Sequence, residues 1–444
     1  MHPLRSTIMV AREMISLPSG VSSASELEPL LIIASLSPDG PRTPFSPVHQ
    51  AIKSGSSISS LLSSSPPFDL NQRDFLGRTP LIHASRINNF PAVQLLLRAG
   101  AGAGAKLIDA RDSLGQTALL AALVGGHIRI ALALLNAGCA VRVANDVGRT
   151  PLHAIFRTWD SWNPHPDSAE VLARLVQGGD VCARSSYGYT PLHYLVWRAR
   201  TPVPLVTSVL RMVLDAGADV DTKDKALGAP AVLYAVRARS SAVLRILLER
   251  GARLTFVDQS GANILGELAT SADLEGLKII EDARMSGVNV FLADAKQHTP
   301  LGKWRKRVRL RKLEDTTISI REETAAFELL VRDIRDRQLQ EDIDHLGEIL
   351  RGIETTNLSQ AHKSLSQLIQ KKTEITLIQD IETLRALRIQ LKEGMWEAAR
   401  ETVHEIVEIC RDRSKRSPWA EDQYHWRELQ VSEWVDTAGT GGTT

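Results

Sequence analysis

The chain has 444 residues, of which 43% are hydrophobic and 23% are charged, and its formal net charge is +2 at pH 7. This length can hold two or three domains, and so small a net charge excludes a bulk attraction to nucleic acid or to an anionic membrane. The three cysteines, Cys139, Cys182 and Cys410, lack the spacing of a disulfide framework or a metal motif and suit a reducing compartment. No run of 18 apolar residues occurs, so we expect no membrane span and no membrane partner.

The first 40 residues are rich in Ser and Pro, a composition that predicts a disordered N-terminal segment over 1–40. Within it, Glu26–Leu36 has the pattern of one short amphipathic helix. Arg5 and Arg12 lie in a stretch that has no apolar run of signal-peptide length. We therefore expect a cytoplasmic or nuclear protein, with an organelle transit peptide as the minor alternative.

From residue 41 onward the sequence repeats a short pattern about every 33 residues. The pattern is complete at Gly148–Ala154, which reads Gly-Arg-Thr-Pro-Leu-His-Ala, and nearly complete at Thr190–His193. With the threonine as the reference position, the copies carry there Ser46, Thr79, Thr117, Thr150, Thr190, Pro230, Asn263 and Thr299. Self-similarity at a fixed period is typical of stacked structural repeats.

Each residue type in the pattern has a structural role. An Asp or Asn before the reference position, followed by a glycine two residues before it, predicts a tight turn in which the glycine adopts a positive φ. In the copy at Pro230, Lys225 occupies the position of the Asp. The threonine then caps a short first helix that proline can begin, and a second helix with paired apolar residues ends near a glycine. One such unit cannot bury its own apolar face, so neighbouring units must stack.

This pattern resembles that of the ankyrin repeat family, and the resemblance covers roughly residues 41–302. It implies an all-α fold: an ankyrin-repeat solenoid of about six to eight repeats, some of them degenerate, within a domain over 41–312. It also implies protein partners that bind on the concave face of the stack through variable surface residues, which leaves their identity open. The histidines of the pattern, His49, His153 and His193, are then expected to brace the turns.

Aromatic residues concentrate around the copies at Thr150 and Thr190, although the whole chain is only 5% aromatic. The predicted partner-binding residues are Trp159, Trp162, Tyr187, Tyr189, Tyr194 and Trp197. The first two lie in an enlarged loop between helices, the next two at turn positions that face solvent in the family, and the last two on its concave face. Exposed aromatic residues are enriched at binding hot spots. The alternative, in which the enlarged loops fold back and bury these rings, stays open.

The last copy runs into a basic cluster. Seven of the ten residues in Lys303–Lys312 are basic, namely Lys303, Arg305, Lys306, Arg307, Arg309, Arg311 and Lys312. Such clusters are typical of nuclear import signals or nucleic-acid patches. The alternation of basic residues with Trp304, Val308 and Leu310 also fits a solvated helix that caps the stack, which is the interpretation we favour. We do not expect nucleic acid to be a partner.

From about Arg321 the turn signature stops and amphipathic helical patterns begin. Apolar residues recur there at helical spacing, as in Leu339, Ile343, Leu346, Leu350 and Ile353, and again in Trp396, Ala399, Val403, Ile406 and Cys410. Breaks at Glu354–Asn357, near Thr373 and at Gly394 separate the helices. Each heptad run is too short for a long coiled coil. We predict a C-terminal α-helical bundle over 320–436, docked on the stack or self-associating, and a flexible tail over 437–444.

The sequence contains no catalytic constellation, metal motif or cofactor motif that we recognise, so we predict no catalytic residues, no bound metal, no cofactor and no enzyme activity. The predicted function is that of a protein–protein interaction scaffold or adaptor. The alternative is a nuclear regulatory protein that uses the basic cluster 303–312 for import or nucleic-acid contact. A third possibility is an enzyme whose site lies among residues 320–436, which would require a polar pocket between those helices.

Overall fold

The structure, a computed structural model, describes residues 46–56, 58–62, 69–100, 105–158, 165–198, 204–271, 274–284, 287–311, 317–355, 357–375 and 378–422. The predicted segment 1–40, the pair of Trp159 and Trp162, Lys312 and the tail 437–444 lie outside these residues.

Among the described residues the regular structure is α-helical, apart from one isolated antiparallel bridge between Val257 and Asn263. The helices are α1 (Pro47–Ser54), α2 (Ser59–Leu62), α3 (Pro80–Arg86), α4 (Phe90–Ala99), α5 (Ala105–Ile108), α6 (Ala118–Val124), α7 (Ile128–Asn136), α8 (Pro151–Arg157), α9 (Ser168–Gly178), α10 (Pro191–Arg198), α11 (Pro204–Asp215), α12 (Ala231–Ala238), α13 (Ser241–Glu249), α14 (Ile264–Ser271), α15 (Leu274–Asp282), α16 (Pro300–Arg311), α17 (Thr317–Glu354), α18 (Leu358–Ile375), α19 (Ile378–Glu393), α20 (Trp396–Lys415) and α21 (Pro418–Glu421). The all-α prediction is confirmed. The chain divides into two compact units between Ser113 and Leu114.

The first unit contains α1 and the hairpin of α3 and α4, and α3 packs against both of the others. Ser46 and Thr79 cap α1 and α3, because each hydroxyl accepts a hydrogen bond from the backbone N–H three residues later. In the turn before α3, Asp74 is buried and forms a 2.6 Å ion pair with Arg78. Burial opposes ionisation there, but the Arg78 guanidinium and nearby backbone N–H groups hold the pKa of Asp74 below its usual value.

The second unit begins with repeats that stack as helical hairpins in two layers. The first helices α6, α8, α10, α12, α14 and α16 form one layer, in which each packs on the next. In the other layer the second helices α7 and α9 pack together, as do α11, α13 and α15. Leu192 of α10 and Leu210 of α11 are both 0% exposed, as expected of a core between layers. Each repeat is therefore stabilised by the repeats next to it, as the sequence pattern predicted.

A turn segment, which we call a finger, precedes each first helix of the second unit, and it carries the predicted glycine in every case except the one before α16, where Gln297 takes the position with a φ of +62°. Gly148 and Gly188 have φ angles of +72° and +76°, a region that side chains rarely adopt. A Cβ atom at Gly188 would also lie only 2.6 Å from the backbone N of Lys225 in the next finger. The glycine position is thus required both for the turn itself and for the close approach of neighbouring fingers.

One assignment made from the pattern is wrong. Asp224, and not Lys225, takes the Asp position in the copy at Pro230: it is buried and accepts hydrogen bonds from the N–H groups of Leu227 (2.6 Å) and Ala229 (3.3 Å). Lys225 is exposed. The finger of this copy has one more residue between its Asp and its glycine than the others have, so counting back from the reference position gives the wrong neighbour.

The C-terminal helices pack on the repeats and on one another. The long helix α17 contacts α15, and Gln338 of α17 donates a 2.8 Å hydrogen bond to the carbonyl of Val288. Helices α17 to α20 share a core that contains Leu346, Leu365, Leu387 and Val403. The predicted breaks after Glu354 and at Gly394 are confirmed. Our prediction that Trp396 lies on the buried face of its helix is wrong, because its side chain is 37% exposed at the first turn of α20.

A short segment, Ser417–Asp422, returns to the last repeat, and we call it the C-terminal strap. The carboxylate of Asp422, 0% exposed, accepts a 2.8 Å hydrogen bond from the hydroxyl of Thr299, the residue that caps α16. The guanidinium of Arg305 lies 4.9 Å from the ring centroid of Trp419 in the strap. In complete copies of the pattern, the histidine three residues after the capping threonine contacts the threonine hydroxyl. Gly302 occupies that position in the last repeat, so Asp422 of the strap contacts the hydroxyl instead.

We expect Asp422→Ala to lower the free energy of unfolding by about 1.5–3 kcal/mol, because a buried hydrogen bond to a charged group is lost. Urea unfolding of the full chain measures this. The control is Asp412→Ala, which removes an ion pair with Arg416 whose side chains are more than half exposed and which should change stability by less than about 0.5 kcal/mol. Equal losses in the two variants would contradict a stabilising strap.

Candidate functional site

Four aromatic side chains from two consecutive repeats pack together at the layer of first helices. Tyr189 belongs to a finger, Tyr194 and Trp197 to α10, and Tyr234 to α12. The rings of Trp197 and Tyr234 are stacked, with centroids 5.9 Å apart and planes 29° apart. Tyr189 lies 5.7 Å from Tyr194, 6.4 Å from Trp197 and 6.3 Å from Tyr234. We call these four residues the aromatic cluster.

The members of the aromatic cluster differ in exposure. Tyr194 and Tyr234 are buried, with 9% and 4% of their surface exposed, whereas Tyr189 and Trp197 are half-buried. Tyr187, in the same finger as Tyr189, is half-buried too. The structure therefore brings Tyr189, Tyr194 and Trp197 together as part of one surface, and Tyr194 forms its support, not its accessible part. Trp159 and Trp162 cannot be placed, since they lie outside the described residues.

Tyr234 is the member that sequence reasoning missed. It stands four residues after the reference position, as Tyr194 does in the preceding copy, so the two rings share one register. The register of this copy is hard to recognise from the sequence, because Pro230 replaces the threonine at the reference position. The hydroxyl of Tyr234 donates a 3.0 Å hydrogen bond to the carboxylate of Asp224. Burial, the nearby Tyr189 and Asp224 all raise the pKa of Tyr234, so it stays protonated and keeps this bond.

Histidines hold the fingers beneath the aromatic cluster. Nε2 of His153 donates a 3.0 Å hydrogen bond to the carbonyl of Tyr189, and its Nδ1 accepts a 3.1 Å bond from the N–H of Thr150. His193 repeats this arrangement with the carbonyl of Ala229 and with Thr190. In the first unit, Nε2 of His49 likewise donates to the carbonyl of Arg78. Each histidine thus joins one repeat to the finger of the next, which is the bracing role that the pattern implied.

Burial keeps these imidazoles neutral. Burial lowers the pKa of His153 to about 4, although the hydrogen bond to Tyr189 acts in the opposite direction. The pKa of His193 is lowered for the same reason. A neutral ring is the form that this geometry needs, because Nδ1 must accept a hydrogen bond while Nε2 donates one.

Comparison with known proteins identifies the type of repeat. A family model described as ankyrin repeats, in three copies, matches residues 48–145. Residues 48–145 of the chain therefore consist of ankyrin repeats. The chain's similarity to the Neurospora crassa ankyrin repeat protein nuc-2 is 26% identity over 237 residues, which are 53% of this chain and 21% of that protein. Its similarity to the Mus musculus B-cell lymphoma 3 protein homolog is 27% identity over 228 residues, 51% of this chain and 47% of the other.

The matched regions thus span about a fifth of one curated relative and about half of the other. Two solved ankyrin repeat domains are also similar to this chain. That of Bcl-3 is 26% identical with a TM-score of 0.39, over 52% of this chain and 96% of that one. That of human ASB11 is 19% identical with a TM-score of 0.41, over 56% and 98%.

The basic cluster forms most of α16, the first helix of the last repeat, and several of its charges face inward. Lys303 forms a 2.9 Å ion pair with Asp294, and Arg307 forms a 3.1 Å ion pair with Glu323 of α17. Arg305 lies over Trp419, as described above. Lys306 and Arg309 are exposed. The remaining predicted members of the cluster, the Arg311 side chain and Lys312, lie outside what the structure describes.

In the described part of the chain, no group of three or more His, Cys, Asp or Glu side chains could hold a metal ion. Every helix described is also too short or too polar to cross a lipid bilayer.

Proposed function

We propose that the chain is a non-enzymatic scaffold or adaptor that binds a protein partner on the face of the first-helix layer, with the aromatic cluster at the centre of the contact. Ankyrin repeats are generally protein–protein interaction modules. The observation that carries the proposal is the pairing of two half-buried rings, Tyr189 and Trp197, with two buried ones that hold them in place. Trp and Tyr are the residues most enriched at binding hot spots.

Preorganisation supports the same conclusion. The Trp197 ring is stacked on Tyr234, whose hydroxyl is tied to Asp224, and the backbone of Tyr189 is held by His153. Side chains that are already ordered lose little conformational freedom when a partner binds, so more of the contact energy appears as affinity. We also propose that the protein acts in the cytoplasm, the nucleus or both.

We expect the triple variant Tyr187→Ala, Tyr189→Ala, Trp197→Ala to lose partners that the wild type retains in quantitative affinity purification. The recovery of these partners should fall by about tenfold or more, because that is the effect of losing one or two hot-spot residues. The control is Trp396→Ala, which removes an exposed tryptophan from α20. Circular dichroism and thermal unfolding verify that the triple variant folds, and Trp197→Ala alone serves if it does not. A partner list that is the same for wild type and folded variants would contradict the proposal.

The second candidate function is that of a nuclear regulatory protein, and the exposure of Lys306 and Arg309 on α16 favours it. Two exposed basic residues can contact an import receptor or a phosphate backbone. The other basic groups of the cluster with described contacts would first have to leave Asp294, Glu323 or Trp419. Binding to nucleic acid would weaken steeply with salt, and anisotropy of an oligothymidylate strand with wild type and with a Lys306→Glu, Arg309→Glu variant tests it. Binding that ignores salt or the variant would contradict this function.

A further inference from the structure

The charges of the central repeats are segregated in a way that identifies the chemistry of a partner. The fingers and first helices within 144–158, 184–198 and 223–239 contain eight Arg or Lys and two Asp. One of these two, Asp224, is buried, which leaves Asp146 as the exposed carboxylate among these segments. Exposed acidic residues lie instead on the second helices and the loops beside them, as Glu170, Asp215 and Glu249 do.

A basic row runs through the aromatic cluster. Arg157, Trp197 and Arg237 each stand seven residues after the reference position of their copies, so they occupy one register on three consecutive helices of the layer. Trp197 lies between the two arginines in this order, and its ring is stacked on Tyr234 of the helix that carries Arg237. Arg237 is in part neutralised, because it forms a 2.9 Å ion pair with Glu267.

More bases border the cluster on the finger side. Arg184, Lys223 and Lys225 are exposed on two adjacent fingers. These fingers are joined by hydrogen bonds: the guanidinium of Arg184 donates to the carbonyl of Lys223, and the N–H of Lys225 donates to the carbonyl of Tyr187 over 2.8 Å. Bases therefore lie on both sides of the half-buried rings, along the first helices and along the fingers.

We propose that this surface binds an extended acidic peptide segment of a partner protein that places an apolar or aromatic side chain on Trp197 and Tyr189. The inference rests on the proposed function and specifies the partner for that same surface. A carboxylate-rich segment complements the bases, and an apolar side chain complements the ring faces. The rings of the cluster pack on one another at 5.7–6.4 Å and have arginines beside them, so they do not suit a cationic ligand.

A peptide fits better than a nucleic acid. The carboxylate of Glu267 lies beside Arg237, and the carboxylate of Asp146 is exposed on the finger before α8. A continuous phosphate backbone would meet these charges, whereas a peptide can place its own carboxylates at intervals over the bases alone. The net charge of +2 also provides no bulk attraction for a polyanion.

The test is selection of random peptides of about 12 residues displayed on phage, with the full chain as target. The selected peptides are then measured by fluorescence anisotropy against three variants: Trp197→Ala, the double variant Lys223→Glu, Lys225→Glu, and the control double variant Arg245→Glu, Lys278→Glu. The control makes the same change in net charge on exposed positions of the second helices α13 and α15. An oligothymidylate strand provides the nucleic-acid arm.

We expect the selected peptides to be enriched in Asp and Glu around a Trp, Phe or Leu. Trp197→Ala and the finger double variant should each weaken their binding by about tenfold or more, and the control should change it by less than about threefold. Neutral or basic peptides that still depend on Trp197 would overturn the acidic partner and leave the proposed function standing. Peptides that ignore Trp197→Ala, or none at all, would count against both. Tighter, salt-sensitive binding of the oligonucleotide through Lys223 and Lys225 would replace the peptide with nucleic acid.

Discussion

Trp304→Ala is expected to lower the free energy of unfolding by about 3–5 kcal/mol, the range found when large buried aromatic side chains are truncated. Trp304 is 1% exposed, and its ring stacks on Phe327 of α17 with centroids 4.4 Å apart and planes 8° apart. Its indole N–H donates to the hydroxyl of Thr324, and the Arg307 guanidinium lies 4.8 Å from the ring centroid. The alanine variant loses all of these contacts and leaves a cavity between the last repeat and the C-terminal helices.

Urea unfolding monitored by circular dichroism measures this loss, with Trp396→Ala as the matched control. Trp396 is the first residue of α20 and is 37% exposed, so its truncation should cost less than about 1 kcal/mol. A second variant, Trp304→Phe, keeps a ring on Phe327 and should recover part of the stability. A loss for Trp304→Ala that does not exceed that of Trp396→Ala would show that α17 is not anchored through this contact.

The same tryptophan shows where sequence reasoning reached its limit. The alternation of bases with Trp304, Val308 and Leu310 suggested a solvated capping helix, and Leu310 is indeed 59% exposed. Trp304 and Arg307 instead point into a junction whose other half, Phe327 and Glu323, belongs to a helix about 20 residues further along the chain. Periodicity within one helix identifies which residues share a face, but it does not reveal what packs on that face.

The repeat stack was predictable for the opposite reason, because each repeat contacts neighbours that carry the same local signals. The capping threonine, the proline that begins the helix and the glycine at positive φ all act within a few residues, as Thr150, Pro151 and Gly148 show. The aromatic cluster was predictable only in part. Tyr189, Tyr194 and Trp197 follow from one copy, whereas Tyr234 and Asp224 belong to a copy whose degenerate reference residue and longer finger obscure the register.

Lowering the pH from about 7 to about 5 is expected to cost about 2 kcal/mol of stability through His153 alone. The side chain is 0% exposed, and burial lowers its pKa to about 4, while the pKa in the unfolded chain is about 6.5. Between these two values the unfolded chain binds more protons than the folded one. Stability is therefore complete above about pH 6.5 and declines as the pH falls through this window.

The structure explains why the proton is excluded. Protonation of Nδ1 would place a donor against the N–H of Thr150, and the bond that closes the first turn of α8 would be lost. His193 carries a lowered pKa for the same reason and adds to the slope. Asp74 and Asp294 also have lowered pKa values, but a depressed carboxyl pKa loses stability only as the pH falls below the usual value of 3.8, which separates their effect from that of the histidines.

The variant His153→Gln isolates this contribution. Glutamine does not titrate, and its amide can still donate to the carbonyl of Tyr189, so the variant should be less stable than the wild type at pH 7 while its stability should change less between pH 7 and pH 5. His404→Gln is the control, because it makes the same substitution at an exposed histidine on α20. Urea unfolding at several pH values gives the slopes. Identical slopes for wild type and His153→Gln would mean that the joint between these two repeats does not depend on a neutral imidazole.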